Sequence, residues 1–257
     1  MSRVLLIAGG TGSIGAVIAE QAARAGWAVA VHGRSEASVD DVVKRVIDAL
    51  GIDASAAAAM VQGFAVDISA TRAEETLVER VAAWHGRIDA VVDCVSTGPN
   101  KRLSGAFDST EEEGYAALME LSIVHLQRLT KAALPWLRRQ GGTLIAFASD
   151  SGKFAAPNQS LIGASRAAIM GFVRNLATEV ARDGVRVHCI SPSFVDETNS
   201  ATRLATINAQ RVESARRKAG LGLPTPHDIA PLVLFLCGDG ARRITGQIIS
   251  VNGGMNA

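Results

Sequence analysis

Cysteine is scarce in this chain of 257 residues, and the three present, Cys94, Cys189 and Cys237, are odd in number and far apart. That pattern offers neither a disulfide framework nor metal-ligand spacing, and it suits buried free thiols in a reducing cytoplasm. The five histidines are scattered too, so no metal site is expected. Charge of either sign is not in excess: 26 Lys and Arg against 25 Asp and Glu give a formal net charge of +1. Nothing in that balance attracts nucleic acid or an anionic membrane. No apolar run reaches the ~20 residues needed to span a bilayer. The stretch from Val4 to Gly15 is too rich in glycine for a signal peptide and reads as a strand followed by a loop. Linkers, repeats and low-complexity tracts are absent, which leaves one domain over residues 1–257 and a cytoplasmic protein as the expectation.

What is present is a regular alternation. Hydrophobic residues make up 48% of the chain, and short β-branched runs at Val4–Ala8, Ala28–His32, Gly63–Val66, Ala90–Val95, Thr143–Ala148, Val185–Ile190 and Ile248–Val251 read as strands. They are nearly continuously apolar, as strands covered on both faces must be. Helical patterns lie between them at about 14–25, 36–50, 70–85, 111–139, 158–182 and 226–237, with Gly26, Gly51 and Gly86 placed as caps. Strict alternation predicts an α/β fold, a doubly wound parallel sheet with helices on both faces. The polar segment 194–222, basic at Arg216, Arg217 and Lys218, breaks the rhythm. It is expected to cross the carboxyl edge of the sheet, where ligands bind in such folds.

The first strand runs into Ile7-Ala8-Gly9-Gly10-Thr11-Gly12-Ser13-Ile14-Gly15 and then a helix. Glycines there let the chain turn tightly against a pyrophosphate, and the helix N-terminus offers N–H groups to the anion. Read without a ligand, the same residues make a tight strand-to-helix turn. After the second strand comes His32-Gly33-Arg34-Ser35. No acid stands there to hold a ribose 2′-hydroxyl, whereas Arg34 suits a 2′-phosphate.

These residues resemble the short-chain dehydrogenase/reductase family. Its Thr-Gly-x-x-x-Gly-[Ile/Leu]-Gly turn is matched at Gly9, Ile14 and Gly15, with Ala8 for Thr and Ser13 for the middle glycine. Asp89-Ala90-Val91-Val92-Asp93-Cys94-Val95-Ser96 is similar to the family strand ending Asn-Asn-Ala-Gly. Gly184-Val185-Arg186-Val187-His188-Cys189-Ile190-Ser191-Pro192-Ser193, Asp228-Ile229-Ala230, Ile244-Thr245-Gly246-Gln247 and Val251-Asn252-Gly253-Gly254 continue the likeness to the end of the chain. The resemblance implies a Rossmann-type seven-stranded parallel sheet. It also implies cofactor contacts at Gly9, Thr11, Ser13, Ile14, Gly15, Arg34, Asp67, Ile68, Val95 and Arg166. Asp67 matches the family's adenine-contacting aspartate; as a plain loop residue it caps the next helix.

The same resemblance locates the catalytic positions. Family enzymes move a hydride between a nicotinamide and a carbonyl or alcohol, with a Tyr-x-x-x-Lys pair, a serine and an asparagine. Aligned on Ala164-Ser165, the tyrosine position holds Ile162 and the lysine position holds Arg166. Thirteen residues before Ile162 stands Ser149, so the serine is kept, while Ser122 takes the asparagine position. Isoleucine has no proton to give, and Tyr115, the one tyrosine of the chain, falls on another helix. Asp150 beside Ser149 is a conceivable substitute acid or a turn residue.

The resemblance therefore implies an oxidoreductase using NADP(H) rather than NAD(H), with an unidentified small carbonyl or alcohol substrate. The degenerate positions leave two alternatives open: a nucleotide-binding pseudoenzyme, or a non-catalytic subunit, even one that no longer admits a dinucleotide. Family habit implies a homodimer or homotetramer, or a hetero-oligomer with an active relative.

Overall fold

All five residues of the first strand, β1 (Val4–Ala8), are buried, and they feed two different cores in turn. Val4, Leu6 and Ala8 join one, Leu5 and Ile7 the other, as the period of two demands of a strand covered on both faces. The computed structural model describes residues 2–96 and 103–256. Six further strands follow: β2 (Ala28–Gly33), β3 (Val61–Ala65), β4 (Ala90–Asp93), β5 (Thr143–Phe147), β6 (Arg186–Pro192) and β7 (Ile248–Val251). All neighbours pair in parallel, in the order β3-β2-β1-β4-β5-β6-β7. The order reverses between β1 and β4, and a crevice opens at the carboxyl ends of those two strands.

The helices in chain order are α1 (Ser13–Arg24), α2 (Glu36–Leu50), α3 (Ala54–Met60), α4 (Ala73–His85), α5 (Tyr115–Met119), α6 (His125–Gln140), α7 (Ser160–Val180), α8 (Asn199–Ile207), α9 (Ala209–Lys218) and α10 (Pro226–Cys237). Ile18 and Ala22 of α1, Val42 and Val46 of α2, and Ile229 and Val233 of α10 cover one face. Leu77 and Val81 of α4, Leu129 and Ala133 of α6, and Ile169 and Val173 of α7 cover the other. Gly51 and Gly86 end α2 and α4 at φ of 63° and 70°, the left-handed region that glycine enters freely. Pro226 opens α10, whose Asp228 carboxylate accepts from the Thr225 N–H at 2.7 Å.

Three segments differ from the sequence-based expectation. The helix expected over 111–139 is broken into a 3-10 turn, α5, a π-helical turn at Glu120–Val124, and α6. Apolar spacing alone does not reveal an inserted residue in a helix. The alanine-rich stretch 54–60 folds as α3, where high helix propensity prevails without an amphipathic pattern. The segment 194–222 carries α8 and α9, started by the side chains of Thr198 and Asn208, which accept the Ala201 and Arg211 N–H groups at 3.1 and 3.0 Å.

Several buried residues break the apolar rule, among them a histidine of β6. His188, in the middle of β6, is 0% exposed, and neither ring nitrogen has a hydrogen-bond partner among the described residues. Burial first, and the charge of Arg186 second, lower its pKa to about 4. Because the unfolded chain protonates near 6.5, the neutral ring contributes stability that is full above that pH and is lost as pH falls toward 4. The shift corresponds to about 3 kcal/mol across that window. His188→Leu is expected to flatten the stability loss between pH 7 and 4.5, read by urea unfolding at both pH values. An unchanged slope would show that His188 does not titrate in the fold.

Candidate active site

The turn after β1 is shaped by how closely the chain passes itself. Gly9 sits at φ +71°, and a Cβ there would lie 2.9 Å from the Cys94 carbonyl and the Val95 nitrogen. At Gly15 a Cβ would lie 2.7 Å from Gly10 Cα and Gly9 O. Neither position tolerates a side chain. Gly12 N–H closes on Gly9 O at 3.0 Å, and α1 then starts with neither a side-chain cap nor an acid in its first turn. That leaves its positive end to an anion. The turn is held from below by His32: Gly9 N–H donates to His32 Nδ1 at 3.1 Å, so the ring proton sits on Nε2, which donates to Val66 O at 3.0 Å. Burial lowers the pKa of His32, in keeping with a neutral ring.

Ser13, the replacement for a family glycine, accepts a hydrogen bond from the Asn199 N–H at 3.2 Å. The first residue of α8 is thereby tied to the first residue of α1, across a cleft of about 320 Å³ that Thr11, Gly12, Ser13, Glu197 and Asn199 line in part. Ile14 packs against the core beneath. Thr11 lies against Gly33, where a Cβ would meet its methyl at 2.4 Å. The next residue, Arg34, is exposed, and no hydrogen bond or ion pair engages it among the described residues. Asp67 is exposed and closes a turn onto Ser69, accepting from its N–H at 3.0 Å and its hydroxyl at 2.8 Å. Those two bonds, with a smaller contribution from Arg34, hold its carboxyl below the usual range. The half-buried Ile68 follows it.

Ser149 stands after β5 in extended backbone and accepts from the Ser151 N–H and hydroxyl at 3.4 and 3.3 Å, both long. The loop 149–152 is pressed against α7. A Cβ on Gly152 would lie 2.7 Å from Arg166 Cβ, and one on Gly163 would lie 2.7 Å from Ser151 O. The serine loop and the stretch of α7 carrying Ile162 and Arg166 are thus in contact, as the alignment requires. Ile162 is half-buried. Burial pulls the Arg166 guanidinium below its ordinary pKa, partly offset by Asp93 and Cys189. Ser122 is buried in the π-helical turn, its hydroxyl without a partner among the described residues. The Tyr115 hydroxyl pairs with Thr110 at 2.5 Å.

Asp150 requires a correction. It is no free acid beside Ser149, because its carboxylate is buried and turned toward the end of the chain. It accepts from Ser191 Oγ at 2.9 Å, Ser250 Oγ at 2.8 Å and Asn252 Nδ2 at 2.6 Å, with Asn256 Nδ2 at 3.5 Å. These bonds fasten the serine loop to β6 and β7. Sequence reasoning also missed His32, Glu74 and His125, which are buried around Asp93. The change of a family asparagine to Asp93 was the one visible signal; Glu74 and His125 lie on separate helices in no shared motif. Asp150→Ala strands two buried donors, Ser191 and Asn252, at about 1–3 kcal/mol each, and the half-buried Ser250. It should therefore lower unfolding stability by about 3 kcal/mol or more, with Asp150→Asn milder. A urea midpoint equal to the native one would show that the network contributes nothing.

A family model described as enoyl-(acyl carrier protein) reductase matches residues 8–256. Dehydrogenase/reductase SDR family member 4 of Homo sapiens is 28% identical over 255 residues, covering 98% of this chain and 87% of that protein. The 3-oxoacyl-(acyl-carrier-protein) reductase of Chlamydia muridarum is 27% identical, covering 99% and 98%. Among solved structures, a single-substitution variant of actinorhodin polyketide ketoreductase with NADPH is 26% identical, with a TM-score of 0.87 and coverage of 99% and 97%. A short-chain dehydrogenase/reductase from Mycobacterium ulcerans, at 24% identity and TM-score 0.87, shares the fold over 99% of this chain and 91% of that one. A sheet with this strand order, a glycine turn at its switch point and a match along nearly the whole length lead to one conclusion: the chain belongs to the short-chain dehydrogenase/reductase family.

Proposed function

We propose that the chain is an NADP(H)-dependent oxidoreductase acting on a small carbonyl or alcohol, at a site that works without a tyrosine. The observation that carries the cofactor assignment is Arg34, exposed and without a hydrogen bond or ion pair among the described residues, at the position after β2 where an NAD site would hold an acid. The residues fit the group: Gly9 and Gly15 leave room that any side chain would fill, and the α1 N-terminus is uncapped. Gly9 through Gly15, Arg34, Asp67, Ile68, Val95 and Arg166 would hold the dinucleotide, which supplies or accepts the hydride. That the related ketoreductase was solved with NADPH supports the choice.

Within that reading, the Ser149 hydroxyl is the donor that polarises a carbonyl oxygen. Arg166 donates to ribose hydroxyls as a fixed charge, unlike a lysine that tunes a neighbouring acid. Asn199, the first residue of α8, is tied to Ser13 and lines one side of the cleft. Ile162 favours a second reading, a nucleotide-binding pseudoenzyme or non-catalytic subunit, since a missing general acid costs ~10²–10⁴ in rate. In either case a dimer or tetramer pairing α6 and α7 is the assembly we propose.

Calorimetric titration is expected to show NADPH binding more tightly than NADH. Arg34→Ala should remove that preference, ~1.5–3 kcal/mol or roughly 10- to 150-fold. Equal affinities in the native chain would overturn the assignment. NADPH consumption over a panel of carbonyls then separates enzyme from pseudoenzyme. The Ile162→Tyr, Arg166→Lys double variant should gain more than its two single changes combined, because a tyrosine and its lysine act as a unit. A double variant no faster than the singles would mean that the proton comes from elsewhere.

A further inference from the structure

Beneath the carboxyl ends of β1 and β4 lies a buried group of ionisable side chains that the nucleotide cradle and Ser149 do not use. His125, the first residue of α6, stands between two carboxylates: its Nδ1 is 2.8 Å from Glu74 Oε1 and its Nε2 is 3.5 Å from Asp93 Oδ1. The first is a hydrogen bond and the second an ion-pair distance. His125 and Glu74 are 2% exposed and Asp93 is 6% exposed. A neutral imidazole carries one N–H and would turn a lone pair on one of the two carboxylates. The trio fits together only if it holds one proton beyond that neutral state, on the imidazole or shared with a carboxylate.

The surroundings give that proton no better home. His32 on β2 faces the cluster, but its Nδ1 accepts from Gly9 and its Nε2 donates to Val66, so it is committed as a neutral ring. Arg166 on α7 faces Asp93 with a charge that cannot be passed on. The thiols of Cys94, just after β4, and Cys189 on β6 are pushed up by burial and stay protonated. Burial by itself would lower the pKa of His125, but Asp93 and then Glu74 outweigh it and the net shift is upward. One turn before His125, the buried Ser122 hydroxyl has no partner among the described residues. Asp93 is where the cluster meets the site: it ends β4, pairs in register with Ala8 at the start of the glycine turn, and pairs with Ala146 shortly before Ser149.

We propose that Glu74, His125 and Asp93 form a proton store for the active site, with Asp93 as its outlet, replacing the supply that an isoleucine at 162 cannot provide. The inference rests on the reductase reading above. In reduction, the carbonyl carbon gains the hydride with its electron pair, the C=O π pair moves onto oxygen, and that oxygen gains one proton. The cofactor accounts for the hydride and the store for the proton; the store regains one from solvent before the next turnover. In oxidation the trio first gives its extra proton to solvent and then receives the one that the alcohol gives up. His125 and Glu74 are positioning residues, acting through Asp93.

Two readouts test this on the full chain. In two-bond ¹H–¹⁵N spectra of the nucleotide-free protein, His125 is expected to keep both ring nitrogens protonated at pH 6.5, and to lose that proton at lower pH in Glu74→Gln. In steady-state reduction of 2,2,2-trifluoroacetophenone by NADPH, the native kcat should fall as pH rises through the His125 midpoint above 6.5. His125→Gln should be slower by ~10²-fold and flat over that range, with KM for NADPH within about twofold of native. A neutral His125 at pH 6.5 in a chain that reduces the ketone overturns the store and leaves the reductase reading standing. His125→Gln with native rate and native pH profile overturns the supply role. A native chain that binds NADPH and reduces nothing, with His125 still an imidazolium, overturns the reductase reading and the supply role together.

Discussion

The site depends on how tightly the chain passes itself at the reversal of strand order. Gly9 lies under the Cys94–Val95 peptide with no space for a Cβ, which locks the end of β4 to the turn after β1. The His32 ring completes the lock by joining Gly9 to Val66, so the ends of β1, β2 and β3 are set by one neutral imidazole. Only glycine at 9 and an unprotonated ring at 32 satisfy both contacts. The orientation of the α1 N-terminus, and with it any anion site, follows from that geometry.

A second layer of constraint reaches the site from the end of the chain. The Asp150 carboxylate gathers hydroxyl and amide donors from β6, β7 and the residues after it, next to the serine that faces the crevice. A buried carboxylate is tolerable only with such donors. Ser149 is therefore placed by a network whose far members, Asn252 and Asn256, stand 102 and 106 residues beyond Asp150 in the sequence. On the opposite wall, Ser13 ties the α8 segment to α1.

The sheet was legible in the sequence because buried parallel strands are short, apolar and β-branched, and because glycines mark helix ends at 51 and 86. Helices 36–50 and 226–237 were expected with the bounds observed. The interior of 111–139 was not, since the π-helical turn at Glu120–Val124 leaves the local composition unchanged. The candidate catalytic positions came from the family resemblance: Ser149, Ile162 and Arg166 follow one another along one strand–loop–helix unit, and Ser122 stands apart from it. Asp150 was misjudged because its partners come from β6, β7 and the chain end, and no local pattern carries such long-range pairing. Glu74 and His125 were invisible for the same reason.

The unusual residues of the site are linked by electrostatics rather than acquired one by one. A carboxylate at Asp93, where relatives place an asparagine, adds a buried negative charge beneath the crevice, and an unpaired buried charge is costly. Arg166 supplies a weakly hydrated, delocalised cation that tolerates its setting better than an ammonium does. His125 takes up the rest, with Glu74 on its far side. Restoring Lys at 166 alone would place a compact, strongly hydrated ammonium near Asp93, and restoring Tyr at 162 alone would leave a phenol beside a fixed guanidinium. With Asp93 in place, the arginine and the histidine answer the same buried charge, and that shared charge is why the catalytic pair has to be considered together with residues on α4 and α6.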